Sequence, residues 1–229
     1  MILAQPRYDV DSWMDWSWVG DNTDVIYSAA REHVILTVLA VGLGLLVSLP
    51  VALFAVERRW LLPPVLGVAG FLYTIPSLAL LAFLVPITGV NRTTALIPLV
   101  SYTLLILIRN IVDGLDAVPD HVREAADGMG YTPRMRRWRV ELPLALPAII
   151  SGVRIATVTT VGLVTVTAII GLDSFGQLII RGLGRTLGGF RTQIMVGVIG
   201  SVALAIVADL LLALFQRLVT PWTRRRAAP

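Results

Sequence analysis

The residues best suited to chemistry lie in one polar stretch between two strongly apolar segments. Residues 124–143 read Glu-Ala-Ala-Asp-Gly-Met-Gly-Tyr-Thr-Pro-Arg-Met-Arg-Arg-Trp-Arg-Val-Glu-Leu-Pro. Four of these residues are arginines, and each charge placed at the centre of a bilayer costs about 2.5–3.5 kcal/mol. A run of charges such as this one cannot lie in lipid. We predict a loop that leaves the membrane and has a structure of its own; the alternative is a solvated basic loop.

Several other chemistries are excluded by residue types that the sequence lacks. All nineteen basic residues are arginine, so the chain has no lysine for a Walker A motif or a Schiff base. There is no cysteine, which removes thiol chemistry and disulfides. The two histidines, His33 and His121, belong to no zinc-protease motif, and no nucleophile elbow is present. We therefore expect no enzyme activity and no metal site, and any ATPase would be another chain.

The composition indicates a membrane protein. Of 229 residues, 56% are hydrophobic and 15% are charged, against about 25% charged in soluble proteins. The mean hydropathy is +0.78 and the isoelectric point is about 10.1. The arginine distribution explains this basic character by membrane topology, so we expect the lipid bilayer and no nucleic acid among the partners.

Five apolar segments are long enough to cross a bilayer, which takes about 20 helical residues. They run over residues 34–56, 60–91, 94–111, 147–170 and 192–215. Pro63 and Pro64 are suited to the start of the second helix and Pro86 to its end. We predict a Gly-rich connection over residues 171–189.

The middle of the second span carries polar residues around a proline. Pro76 should kink the helix and free a backbone carbonyl. We predict that Tyr73, Thr74, Pro76 and Ser77 line a translocation pathway. The alternative is hydrogen bonding between helices away from any pathway.

Two charged residues fall inside predicted spans. Arg154 and Asp209 each lie about 10 Å from the same end of their spans, at a rise of about 1.5 Å per residue. An unpaired charge at that depth is costly, so we predict that the two side chains form an ion pair. The alternative is that Arg154 reaches the aqueous phase and Asp209 meets the backbone or another subunit.

Local signals predict two short helices in the polar loop. The first opens at Pro119-Asp120, with Asp120 as its cap, and Gly130 ends it. Thr132 and Pro133 open the second, and Leu142-Pro143 with Pro147 should turn the chain back toward the membrane.

The N-terminal residues 1–31 contain three tryptophans beside the first span. We interpret them as a short interfacial segment, because amphipathic rings favour the membrane surface. The alternative is an aromatic cage for a quaternary ammonium group.

Charge asymmetry predicts the orientation. With the polar loop in the cytoplasm, thirteen arginines lie on or near the cytoplasmic side and six lie outside. The positive-inside rule then puts the N-terminus outside and the basic tail, residues 218–229, in the cytoplasm.

The spacing of the polar loop resembles the signature loop of membrane subunits of bacterial ABC importers. The matching residues are Glu124, Ala125, Ala126, Gly130, Val140, Leu142 and Pro143, with Val140 where isoleucine is usual. Residues 74–84, 141–147 and 152–157 also look like permeases of osmoprotectant importers, which carry glycine betaine, choline, carnitine or proline betaine. The resemblance covers roughly residues 34–217.

The resemblance implies an all-α membrane protein with the type I ABC importer permease architecture, in a bacterial plasma (inner) membrane. It implies residues 32–217 as the permease domain and residues 117–146 as a coupling loop. The partners would be two ATPase subunits, a second permease subunit and a separate substrate-binding protein. ATP and magnesium would bind the ATPase, and this chain would hold no cofactor.

The resemblance also implies roles for the residues of the polar loop. Glu124 would offer a carboxylate to an arginine of the ATPase, since charge-assisted hydrogen bonds are strong. Ala125 and Ala126 would keep that face thin, Gly130 would allow the reversal between the two helices, and Val140, Leu142 and Pro143 would anchor the far end. A permease for methionine or another small solute remains an alternative, as does an ion-coupled secondary transporter.

Overall fold

The computed structural model describes residues 12–184 and 190–222, and within these ranges the chain is helical and has no strand. In chain order the α-helices are α1 (Trp16–Asp21), α2 (Thr23–Glu57), α3 (Leu62–Thr74), α4 (Ser77–Thr88), α5 (Arg92–Asp116), α6 (Asp120–Gly128), α7 (Pro133–Arg136), α8 (Leu142–Val166), α9 (Phe175–Leu183) and α10 (Arg191–Val219). A 3-10 turn, Arg59–Leu61, precedes α3 and another, Thr167–Ile170, follows α8. A π-helical turn, Arg137–Glu141, joins α7 to α8.

Among the described residues, four helical stretches are long and apolar enough to span a membrane: Thr23–Glu57, Arg92–Asp116, Pro133–Ile170 and Arg191–Val219. A fifth span results when Arg59–Thr74 and Ser77–Thr88, which are bent by 86° at their junction, are taken together. The prediction of an all-α protein with about five membrane helices is therefore confirmed.

Three details of the expected chain path are wrong. The helix that carries the first span is longer than the predicted span, because α2 already begins at Thr23, within residues 1–31. The connection over residues 171–189 contains α9, whose apolar residues Phe175 and Leu178 are buried. Leu142, Pro143 and Pro147 do not break the helix: the chain stays helical from Pro133 to Ile170. Pro143 closely follows the π-turn, which has already interrupted the regular hydrogen-bonding pattern, whereas Pro147 lies inside α8.

The described helices belong to two compact units, and α2, α5, α8 and α10 contribute to both. Of the described residues, the first unit takes in those up to Leu39, those within Pro76–Leu99 and those within Thr159–Val207, and the second takes in Ala40–Ile75, Val100–Val158 and those from Ala208 onward.

The first unit is built around α9. Ala29, Phe175 and Leu178 form its buried cluster. A Cβ on Gly197 would lie 2.6 Å from the Phe175 carbonyl oxygen, so only glycine allows α10 to approach so closely. Trp18 is buried with its ring edge on Phe190 at 5.6 Å between centroids. This burial leaves Trp18 unavailable as a wall of an aromatic cage.

The second unit packs α5 against its neighbours through small residues. Its buried cluster includes Ala52, Ile108, Ile111 and Ala145. A Cβ on Gly114 would lie 2.8 Å from the Cβ of Ala148, so the glycine lets α5 and α8 approach closely. Small residues at helix crossings are the usual means of packing within a membrane, where the hydrophobic effect does not drive association.

Candidate functional site

The polar loop folds as two short helices, α6 and α7, as the local signals predict. Glu124 and Ala125 are exposed on α6, whereas Ala126 is almost completely buried on the opposite face. The Arg123 side chain donates a hydrogen bond from Nη2 to the Leu115 carbonyl oxygen at 2.8 Å, which ties α6 to the end of α5. The loop thus presents the Glu124 carboxylate to solvent from a helix that is held on its inner face.

Gly130 ends α6 in a Schellman turn. Its φ is +81°, in the left-handed region. The Gly130 N–H donates to the Asp127 carbonyl at 2.9 Å, and the Tyr131 N–H donates to the Ala126 carbonyl at 3.1 Å. This is the paired hydrogen bonding of the Schellman motif, which requires a left-handed residue after the helix and so favours glycine. The positive φ of this turn therefore explains why the predicted motif has glycine at position 130.

The start of each loop helix can be compared with the sequence signals. The prediction for α7 is confirmed: Thr132 is its cap, accepting from the Met135 N–H at 3.3 Å, and Pro133 is its first residue. The prediction for α6 is wrong by one position, because Pro119 is the cap and Asp120 is the first helical residue. At that position the Asp120 carboxylate still interacts favourably with the helix dipole.

A carboxylate with no predicted role lies at the far end of the loop. Glu141 is 4% exposed and accepts a hydrogen bond from Arg136 Nε at 2.8 Å. Arg137 lies on its other side, with Nε at 3.6 Å from Glu141 Oε2. The signal available in the sequence was a single acidic residue after a run of arginines. Its flanking residues, Val140, Leu142 and Pro143, are all half-buried.

The second span is broken at Ile75-Pro76. Pro76 caps α4 and is exposed, and Ser77 is the first residue of α4 and is half-buried. Thr74 Oγ1 donates to the Phe71 carbonyl at 2.7 Å, and Tyr73 is 42% exposed. These four residues are consecutive except for Ile75, so they surround one break in the backbone.

The carbonyl freed at this break has a partner that the sequence did not identify. The Tyr102 hydroxyl on α5 donates to the Ile75 carbonyl oxygen, and the Tyr102 ring meets the Tyr73 ring edge to face at 5.8 Å. Hydrogen bonding between helices is thus present at Ile75, while the pathway role of Tyr73, Thr74, Pro76 and Ser77 stays a prediction.

Arg154 on α8 and Asp209 on α10 are in direct contact. Arg154 Nε donates to Asp209 Oδ1 and Nη2 donates to Oδ2, both at 2.8 Å. Gln216 completes the group, since its Nε2 donates to the Pro147 carbonyl at 3.0 Å and its Oε1 accepts from Arg154 at 3.4 Å. Gln216 lies seven residues, about two helical turns, after Asp209 on the same helix, and this spacing could have identified it.

Some charges used for the orientation fall outside the described residues. These are Arg7, Arg185 and Arg224 to Arg226, so most of the predicted basic tail is not described. Among the described arginines, Arg59 binds Asp116 with both terminal nitrogens, at 2.8 and 2.5 Å.

Comparisons with known proteins agree with this geometry. A family profile described as "Binding-protein-dependent transport system inner membrane component" matches residues 40–225. The osmoprotectant import permease protein OsmW of Salmonella typhimurium is 37% identical over 88% of this chain and 94% of its own length. The choline transport system permease protein OpuBB of Bacillus subtilis is 34% identical over 83% of this chain and 86% of its own. The glycine betaine/carnitine/choline permease protein OpuCB of the same organism is 33% identical over the same shares.

Solved structures share the fold. The inward-facing MetNI methionine ABC transporter superposes with a TM-score of 0.76, over 86% of this chain and 97% of that chain, at 23% identity. A crystal structure of an amino acid ABC transporter with histidines gives a TM-score of 0.71 at 22% identity, over 89% and 98% of the two chains.

Proposed function

The chain belongs to the family of binding-protein-dependent transport system inner membrane components, and we propose that it forms the pathway for a betaine- or choline-type solute. Membership makes it the permease subunit of an ABC importer in the inner membrane, a subunit without ATPase activity that works with an ATPase and a substrate-binding protein. Beyond this membership, the proposal concerns the identity of the solute, the subunit stoichiometry and the residues that take part in coupling and in the pathway.

The relatives support the choice of solute. The three relatives described above are 33–37% identical to this chain, and their names refer to osmoprotectants, choline, carnitine or glycine betaine. The methionine transporter is only 23% identical, a level at which the likeness concerns the fold. A quaternary ammonium solute is therefore favoured over methionine.

The observation that carries the coupling role is the geometry of α6. Its exposed face presents Glu124 and Ala125, its buried face holds Ala126, and a Schellman turn at Gly130 fixes its end. We infer that Glu124 binds an arginine of the ATPase and that Val140, Leu142 and Pro143 anchor the loop to the membrane helices. Closure of the ATPase on ATP and magnesium then displaces α6, and the displacement tilts the helices that α6 is tied to.

The assembly that fits this role has two permease subunits and two ATPase subunits, with a separate binding protein outside. In the orientation that we propose, the loop and the C-terminus are cytoplasmic and the N-terminus is outside. The residues around the break, Tyr73, Thr74, Pro76 and Ser77, would contribute to the pathway.

Reconstitution tests the proposal. The chain is expressed with its partner ATPase and binding protein, purified and placed in liposomes containing ATP. We expect uptake of radiolabelled glycine betaine or choline that requires ATP hydrolysis and the binding protein, and no uptake of methionine. A matched preparation with an ATPase unable to hydrolyse ATP serves as the control. ATP-driven uptake of methionine but not of betaines would refute the solute, and failure to co-purify with the ATPase would refute the coupling role.

A further inference from the structure

A row of five charged side chains connects α6 to the last residue of α2. In order they are Asp127, Arg136, Glu141, Arg137 and Glu57, so negative and positive groups alternate. Arg136 Nη1 donates to Asp127 on α6 at 2.5 Å, and its Nε donates to Glu141 at 2.8 Å. Arg137 lies against the other oxygen of Glu141 and donates from Nη1 to Glu57.

The π-helical turn makes this row possible. Arg137 and Arg136 precede Glu141 by four and five residues, respectively. In a regular α-helix, residues five apart are separated by about 140° around the axis, so only Arg137 would stand beside Glu141. A π-turn pairs residue i with residue i+5 and brings both arginines to the same face. The π-turn, Arg137–Glu141, begins and ends within the row, and such turns are common at functional sites.

Burial makes the centre of the row rigid and leaves its ends accessible. The Glu141 side chain is 5% exposed, whereas Asp127 and Glu57 are 49% and 57% exposed. A buried carboxylate left without its cations is strongly unfavourable, so Glu141 must keep both arginines in place. Each arginine then extends its remaining nitrogens to a different helix.

We propose that Glu141 is a positioning residue of the transport cycle: by holding Arg136 and Arg137, it transmits movement of α6 to the end of α2. This inference rests on the proposed function, in which the ATPase moves α6. Without the row, α6 would still bind the ATPase through Glu124, and hydrolysis would continue while the displacement of α2 was lost.

The test is the number of solute molecules imported per ATP hydrolysed by the reconstituted transporter. The variants Glu57→Gln and Asp127→Asn each break one exposed end of the row, and Glu141→Gln breaks its centre. Asp116→Asn is the matched control, because it removes a carboxylate from an arginine pair that lies outside the row. We expect the three row variants to lower uptake per ATP by at least about fivefold, the lower end of typical coupling between sites. The control should stay within about twofold of the wild type, because it leaves every side chain of the row in place.

A double variant separates a connected row from two independent contacts. If the row transmits one displacement, Glu57→Gln with Asp127→Asn should be no worse than the worse single variant, because neighbours in one network are not additive. A loss equal to the product of the single losses would overturn the inference, as would unchanged uptake per ATP in Glu57→Gln. Glu57 is exposed, so this variant tests the idea even where Glu141→Gln does not fold. A wild-type transporter without ATP-driven uptake would overturn the proposed function and this inference together, whereas fully coupled variants would overturn the inference alone.

Discussion

Replacing Gly130 by valine should uncouple the transporter while leaving the membrane helices folded. Gly130 has φ +81° and closes the Schellman turn of α6. An L-residue with a side chain pays about 1–2 kcal/mol in the left-handed region, and a β-branched residue is a genuine outlier there. A Cβ on Gly130 would meet no atom within 4 Å, so no steric clash is expected. The free-energy cost of the substitution therefore comes from backbone strain alone.

The size of the effect follows from this strain. About 1–2 kcal/mol corresponds to a factor of about 5–30 in the population of the turn relative to open forms of the loop. Because the turn lies in an exposed loop, the loss should appear as fewer correctly placed α6 helices and not as global unfolding. Uptake should fall by a similar factor, and the amount of chain inserted in the membrane should not change.

Two further variants make the measurement specific. Asparagine is the residue after glycine that best tolerates positive φ, so Gly130→Asn should retain most of the uptake. Gly128→Ala is the control for a side chain added to a glycine of this loop, since a Cβ there also meets no atom within 4 Å, Gly128 is not among the positive-φ glycines, and alanine adds only one methyl group and is more favourable than glycine in a helix. The assay is ATP-driven uptake into proteoliposomes, normalised to reconstituted protein. Normal uptake by Gly130→Val, or equal losses for the valine and asparagine variants, would refute the reasoning.

The remaining predictions concern the carboxylate proposed to bind the ATPase, the proposed pathway residues and the ion pair between α8 and α10. Glu124→Ala should lower the yield of co-purified ATPase and the stimulation of hydrolysis by solute; unchanged values for both would exclude an anchoring role. Ser77→Cys, in a chain without natural cysteine, should react with a small hydrophilic thiol reagent in at least one nucleotide state, and complete protection in every state would place Ser77 away from the pathway. Arg154→Asp and Asp209→Arg should each impair expression, and their combination should restore it, because the reversed charges can pair again; no recovery would mean that the contact has no stabilising role.

The local structure of the loop was accessible from the sequence because it depends on neighbouring residues. The Thr132 cap, the Pro133 start and the Gly130 turn each follow from the conformational preferences of one or two residues. The apolar segments likewise gave the spans, since their length is set by the bilayer. The family resemblance was also visible in the polar loop, because the signature residues occupy fixed positions within twenty residues.

The contacts that cross between helices were less accessible. The contact of Arg154 with Asp209 follows from depth and charge, but no local pattern indicates that Tyr102 binds the Ile75 carbonyl. The π-turn was also missed, since the sequence pattern does not distinguish its pairing of residue i with residue i+5 from the i-to-i+4 pairing of an α-helix. Similarly, α9 was missed because its glycines suggest a loop, although Gly176 and Gly182 are there to allow close approach of neighbouring backbone.

The use of arginine alone as the basic residue fits the ion pairs that join distant parts of this chain. Arg59 with Asp116 and Arg154 with Asp209 are each held by two nitrogens on two carboxylate oxygens, and so is Arg92 with Glu32, at 2.6 and 2.5 Å. Each pair joins residues more than fifty positions apart. A lysine ammonium is a compact point charge that cannot make this planar double contact, so it would leave the relative rotation of two helices less well defined. Arg136 goes further and binds two different carboxylates, Asp127 and Glu141, with separate nitrogens. Because it binds in two directions, Arg136 fixes the orientation of α6 relative to the π-helical turn, and the proposed mechanism, which works by tilting helices, depends on that orientation.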